Sequence, residues 1–329
     1  MLDKKVIDVF GMQKQPETGR FGVEVEMEGE QLPDKIPGWA LKEEHSLRGE
    51  SREFATDRAV SMQELKDRLF AMAKVLGKYN SKVNTSYRGS THIHYNVQNE
   101  TFRTVMNEWV IFTAIEPVFL GIIGGNRNGN LFCMPSYDTG DTLNAFYNQL
   151  SMIVRDRQKW PDRGKYAARN ADPVRRFGSV EYRFFPPETG DPIITWCQYL
   201  DKLWGLARLY TDAGGLHKAV QAYREDPSVF LSIFPDEVLP PKHIVTEMSR
   251  VGAELAYELS RKYVLLTKVG QKSEVDEENI IREEPQDLDP FGWRGRDVDG
   301  LPEPGPALAQ PNFREFVMQQ MPRVRRAPR

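Results

Sequence analysis

"FGVEVEMEG", residues 21–29, sets a carboxylate at every second position: Glu24, Glu26 and Glu28, with Val23, Val25 and Met27 between them. A β-strand sends successive side chains to opposite faces, so the glutamates share one face and the apolar residues the other. The habit returns downstream. In "STHIHYNV" (90–97), His92, His94 and Asn96 oppose Ile93, Tyr95 and Val97. In "SVEYRFF" (179–185), Glu181 and Arg183 oppose Val180, Tyr182 and Phe184, and "ESREFAT" (50–56) carries Glu53 in a fourth short extended stretch.

Any sheet with one buried and one solvated face alternates in this way. The choice of polar residues distinguishes these strands. Glu-x-Glu-x-Glu, His-x-His and Glu-x-Arg crowd like charges and imidazoles together, and such crowding repels unless cations compensate it. Taken singly, Glu-x-Glu reads as solvent-facing, Glu-x-Arg as a surface ion pair, and His-x-His as either a ligand pair or ordinary polar side chains. Together they point to divalent cations. Carboxylate oxygens with an imidazole among them suit Mg²⁺ or Mn²⁺.

Helical periodicity surrounds these strands. "SMQELKDRLFAMAKVLGK" (61–78) places Leu65, Leu69, Met72 and Leu76 on one stripe, with Ser61 as cap, Glu64 three residues on and Gly77 at the end. Further helices are predicted near 101–122, 141–157, 192–212 and 244–267, the last with Ile244, Met248, Val251, Leu255 and Leu259 at helical spacing. Strands and helices do not alternate as a parallel doubly wound sheet requires, so the expected class is α+β with an antiparallel sheet. Beyond residue 268 the composition changes. "KSEVDEENIIREEPQDLDP" is acidic, "GLPEPGPALAQP" is rich in Pro and Gly, and "RVRRAPR" is basic. The expected organisation is one folded domain over 1–268, which the family resemblance given below implies is catalytic, and a mostly disordered tail over 269–329, with one short helix at 311–321 and a role in recruiting a partner.

A net charge of −3 gives no overall bias toward nucleic acid or membrane, and no nucleic-acid motif is recognised. Cys133 and Cys197 are too few for a disulfide framework, which fits a reducing, cytoplasmic compartment. No stretch approaches ~20 apolar residues, and "MLDKKVIDVF" contains no signal-type apolar run, so neither a membrane span nor export is expected.

Five segments, in order, resemble the landmarks of the amidoligases, ATP-dependent carboxylate–amine ligases related to glutamine synthetase and glutamate–cysteine ligase. They are "FGVEVEMEG" (21–29), "HSLRGESREFAT" (45–56), "GSTHIHYNV" (89–97), "GNRNGNLFCMP" (125–135) and "KYAARN…GSVEYRFFPPETGD" (165–191). The resemblance implies a curved antiparallel sheet with helices on its convex side, and metal ions and ATP on its concave side. Glu24 and Glu26 resemble first-strand metal ligands, Glu53 the second-strand carboxylate, and Glu181 the last-strand ligand. His92 or His94 resembles the imidazole that contacts metal and ATP phosphate. Arg183 resembles the cation against the phosphoryl group, and Arg127 one that gathers phosphate or the acidic substrate. Two features depart from the family. His45 stands where an Asp is common, and Glu28 and Glu50 are extra carboxylates, read here as lying behind the ligands or in solvent.

The implied chemistry activates a carboxylate as an acyl phosphate at the expense of ATP, after which an amine displaces phosphate. Mg²⁺ or Mn²⁺ and arginines would neutralise the charge. The chain has no Gly-x-x-x-x-Gly-Lys loop, so phosphate contacts must come from the metal face and basic side chains. Residues 155–176, with eight Lys/Arg against three Asp, are a candidate supply or else a basic surface loop. Substrates would be a carboxylate and an amine on an amino acid, a peptide or a protein side chain. Homo-oligomerisation stays open, and similar chains occur in phages and bacteria, which would place a phage copy in host cytoplasm. Two alternatives remain: a non-catalytic scaffold or assembly protein that retains the fold, and a His-x-His metal hydrolase. The second would need more imidazoles than His45, His217 and His243 clearly offer.

Overall fold

A computed structural model describes residues 2–15, 19–42, 47, 49–84, 88–124, 133–137, 142–154 and 167–269. The chain divides at residue 270, and every described residue belongs to the first unit, Met1–Gly270. Residues 270–329, with the helix expected at 311–321, and Arg127 and His45 lie outside the described residues, whereas residue 269, expected in the tail, closes the last described helix.

Among the described residues seven strands build one antiparallel sheet: β1 (Phe21–Glu30), β2 (Trp39–Lys42), β3 (Ser51–Thr56), β4 (Lys82–Asn84), β5 (Thr91–Asn96), β6 (Arg169–Asn170) and β7 (Ser179–Phe185). Their order is β2-β3-β1-β5-β7-β6, with β4 paired to the far end of β1. The described helices are α1 (Val6–Phe10), α2 (Met62–Lys78), α3 (Phe102–Ile123), α4 (Thr142–Val154), α5 (Pro173–Phe177), α6 (Asp191–Arg208), α7 (Ala213–Glu225), α8 (Ser228–Leu231) and α9 (Lys242–Val269). The protein is therefore α+β, as the irregular succession of helical and extended segments implies.

Alternation settles which face is covered. Val23, Val25, Met27, Ile93, Tyr95, Val97, Val180, Tyr182 and Phe184 are all fully buried. Against this face lie α3 and α6. Trp204 of α6 stacks on Tyr95 with ring centroids 4.9 Å apart, and Phe119 of α3 meets Phe184 edge-on at 5.0 Å. Burying such rings contributes about 1.5–3 kcal/mol each. A further helical layer, α7 and α9, packs on α3.

Helix α2 follows its sequence pattern closely. Ser61 caps it by accepting from the Glu64 backbone N–H at 3.2 Å, and Leu65, Leu69, Met72 and Leu76 form its buried stripe. Helix α3 is the central element. Pro117 lacks an N–H, so the Thr113 carbonyl has no helical donor four residues on. Helix α9 crosses at this point with Gly252, where an added Cβ would stand 2.3 Å from the Ala114 carbonyl oxygen and 2.7 Å from that of Thr113. The glycine is thus required by close approach between two backbones.

Three expectations are corrected. The helix expected over 192–212 ends four residues early: α6 stops at Arg208, and Asp212, expected inside it, caps α7 (Ala213–Glu225), its carboxylate accepting from the Gly215 N–H at 2.8 Å. Among the described residues one helix, α3, is long and apolar enough to cross a membrane, but 83% of its apolar stretch is buried inside the protein. Finally, β2, β4 and β6 are too short to show any alternation, and sequence patterning missed them.

Candidate metal centre

Strand register gathers the polar residues into rows across the sheet. Lys42 stands opposite Glu53, which stands opposite Glu26. In the neighbouring row Glu24 faces His92, and beyond it Gly22 faces His94, which faces Glu181, which faces Asn170. A bulge in the β5–β7 pairing falls between Thr91 and Ile93, beside His92, and bulges of this kind re-aim a side chain. Gly22 leaves the space over His94 open: a Cβ there would lie 3.3 Å from the His94 Cβ.

Glu24, His94 and Glu181 converge. One oxygen or nitrogen from each lies within 4.8 Å of the others, close enough for a single ion to meet all three. The His94 Nε2 atom lies 3.9 Å from both Glu24 Oε2 and Glu181 Oε1, is buried, and has no hydrogen-bond partner. A buried, unpartnered ring nitrogen aimed between two carboxylates matches the donor set of a divalent cation. The other nitrogen of that ring, Nδ1, lies 3.1 Å from the Ser179 hydroxyl, which orients the imidazole.

His92 is held differently. The Ser90 backbone N–H and hydroxyl both donate to Glu26 Oε2, at 2.9 and 2.6 Å. With its only proton committed to Glu26, the Ser90 hydroxyl accepts from His92 Nε2 at 2.6 Å. His92 Nδ1 is then left 3.3 Å from Glu24 Oε2 and 3.4 Å from Glu181 Oε1. Both imidazoles therefore turn a nitrogen toward the gap between Glu24 and Glu181. Glu26 lies behind them, 3.7 Å from His92 Nε2, and Glu53 lies toward Lys42.

The electrostatics follow from this crowding. Burial alone would raise the Glu24 pKa, but the His92 and His94 imidazoles beside it hold it far below the usual carboxylate range. Burial likewise opposes ionisation of Glu181, and His94, His92 and Arg183 outweigh it, so its pKa is lowered. Arg183 donates to Glu181 Oε1 at 2.6 Å, and Asn170 donates to Oε2 at 2.7 Å. His94 moves the other way. Burial pushes its pKa down, yet the Glu24 and Glu181 carboxylates raise it above the ordinary imidazole value.

Several residues of this face escaped sequence reasoning. Ser90 and Ser179 lie two residues before His92 and Glu181 on the same face, so the period-two rule reaches both. Asn170 and Lys42 carry no such signal, because only strand pairing brings them in. Glu50 accepts from the Leu32 N–H at 2.9 Å and shapes the turn after β1. Arg169, counted among the basic candidates for phosphate in 155–176, is instead buried in the core, where it pairs with Glu108 of α3. Residues 155–166 lie outside the described residues.

No family model matches the chain, and no curated protein matches it.

Proposed function

We propose that this protein is an ATP-dependent carboxylate–amine ligase with a glutamine synthetase-like fold, its sheet curved and its polar face serving as the catalytic surface. The observation that carries the reading is the convergence of Glu24, His94 and Glu181 within 4.8 Å around an unpartnered His94 Nε2. Glu24, His94 and Glu181 would hold a divalent cation, Mg²⁺ or Mn²⁺, which supplies charge neutralisation at phosphoryl oxygens. Ser90 and Ser179 orient the two imidazoles, and Asn170 holds the Glu181 carboxylate from its other oxygen. Arg183 presents a planar guanidinium at the edge of this cluster, a geometry suited to phosphate or carboxylate oxygens.

In the proposed reaction a substrate carboxylate oxygen attacks the terminal phosphorus of ATP and ADP leaves, giving an acyl phosphate. An amine nitrogen then attacks the acyl carbon, and phosphate departs with the oxygen it received. The hydrolase alternative would draw on imidazoles beyond His92 and His94. His217 is engaged with Ser260 at 2.8 Å in the helical layer, away from this face.

The test is ADP release in Mg²⁺ with hydroxylamine as surrogate amine and a panel of amino acids and peptides as carboxylates. One hydroxamate per ADP on at least one carboxylate is expected. Hydrolysis of the panel without ATP would replace the ligase with a hydrolase, and bound metal without turnover on any carboxylate favours the scaffold reading.

A further inference from the structure

The two oxygens of Glu24 face different cations. Oε2 looks toward His92, His94 and Glu181, whereas Oε1 is hydrogen-bonded by the Lys42 ammonium. The same Nζ lies 3.3 Å from Glu53 Oε1. Lys42 reaches this place because β2 is the terminal strand of the sheet and pairs Lys42 directly opposite Glu53. Its stem enters from the rim, and the side chain keeps 47% exposure while the ammonium bridges two carboxylates.

We propose that Lys42 stands in the place of a second metal ion on this face, so that the site takes one divalent ion, at Glu24, His94 and Glu181, rather than two. The inference rests on reading the face as a metal site. A second ion bound through Glu24 Oε1 and Glu53 Oε1 would occupy the place that the ammonium holds. A tethered ammonium cannot diffuse away, so a free ion must displace a group held at high local concentration. Lys42 brings one positive charge where an ion would bring two, and it brings donors that an anionic substrate group can share from the open rim. Its function is then to neutralise Glu24 and Glu53 permanently and to leave the single ion the only exchangeable cation.

Equilibrium binding of Mn²⁺ to the full chain, measured calorimetrically, tests this. One ion per chain is expected for wild type, two for Lys42→Met, and one for Lys42→Arg, which keeps the charge. Two ions on the wild type, or one on Lys42→Met, overturns the assignment of Lys42 and leaves the ligase reading standing. No ion on either protein overturns both, so the two failures are distinguishable. If Lys42→Met does not fold without metal, refolding it in Mn²⁺ gives the same count. Failure to fold there as well overturns the proposal, since the ion then cannot take the place of the ammonium.

Discussion

Arg169→Met removes one half of a fully buried ion pair, and the structure sets the size of the effect. Arg169 donates to Glu108 Oε2 through Nε at 2.8 Å and through its terminal nitrogen at 2.6 Å, and neither side chain has any exposure. Tyr182 donates to the other Glu108 oxygen at 2.7 Å and accepts from Trp204 at 3.0 Å. The guanidinium also lies 4.5 Å from the centre of the Trp109 ring. Methionine replaces most of the stem volume, so little cavity is left. The Glu108 carboxylate, however, keeps one donor in place of three in an apolar surrounding. Breaking such a pair from one side costs about 3–5 kcal/mol. At roughly 2–4 °C per kcal/mol for a domain of this size, the melting temperature should fall by about 6–20 °C. Calorimetry on wild type, Arg169→Met and the double variant Glu108→Leu/Arg169→Met measures it, and the double variant should recover most of the loss because no unpaired charge remains. A loss below about 1 kcal/mol in Arg169→Met would refute the reasoning, as would a double variant less stable than the single one.

Further outcomes follow from other contacts. Gly252→Ala should destabilise severely, because its Cβ would fall 2.3 Å from a backbone oxygen of α3; a melting temperature within 2–3 °C of wild type, about the shift for 1 kcal/mol, contradicts that crossing. In chelator-treated protein, His94 has a folded pKa above its ordinary value of 6.5, so its stabilising contribution is full below that pH and fades as pH rises through the folded value. The stability gap between wild type and His94→Gln should therefore narrow on going from pH 6 upward, and a gap that widens is the opposite sign. Glu26 lies behind His92, whereas Glu181 belongs to the converging triad. Glu26→Gln should reduce Mn²⁺ affinity roughly 10–100-fold with the fold retained, and Glu181→Gln should abolish binding; equal losses in titrations of the two would place both in the same shell.

Most of the sheet face was legible because period-two alternation needs no partner. Glu24, Glu26, His92, His94, Glu181 and Arg183 could be assigned to faces from their own strands, and Val23, Ile93 and Tyr182 to the core by the same rule. What alternation does not supply is register. Lys42 meets Glu53, and Asn170 meets Glu181, only because β2 and β6 pair where they do, and those strands have four and two residues. Arg169 shows the same limit from the other side. In a basic stretch it reads as a surface cation, yet its neighbour Asn170 faces the site, so Arg169 must face the core, and α3 supplies Glu108 to meet it. The end of α6 was overshot by four residues because Leu209 and Tyr210 continue its apolar run, while Asp212 serves instead as the cap of the next helix.

The central claim is an acyl phosphate formed from a substrate carboxylate, and oxygen transfer tests it most directly. With both carboxylate oxygens of the substrate labelled in ¹⁸O, mass spectrometry of the products follows one atom through the reaction. The account predicts one labelled oxygen in inorganic phosphate for each amide formed, with ADP as the nucleotide product. Label in AMP, or amide formed with unlabelled phosphate, would contradict it.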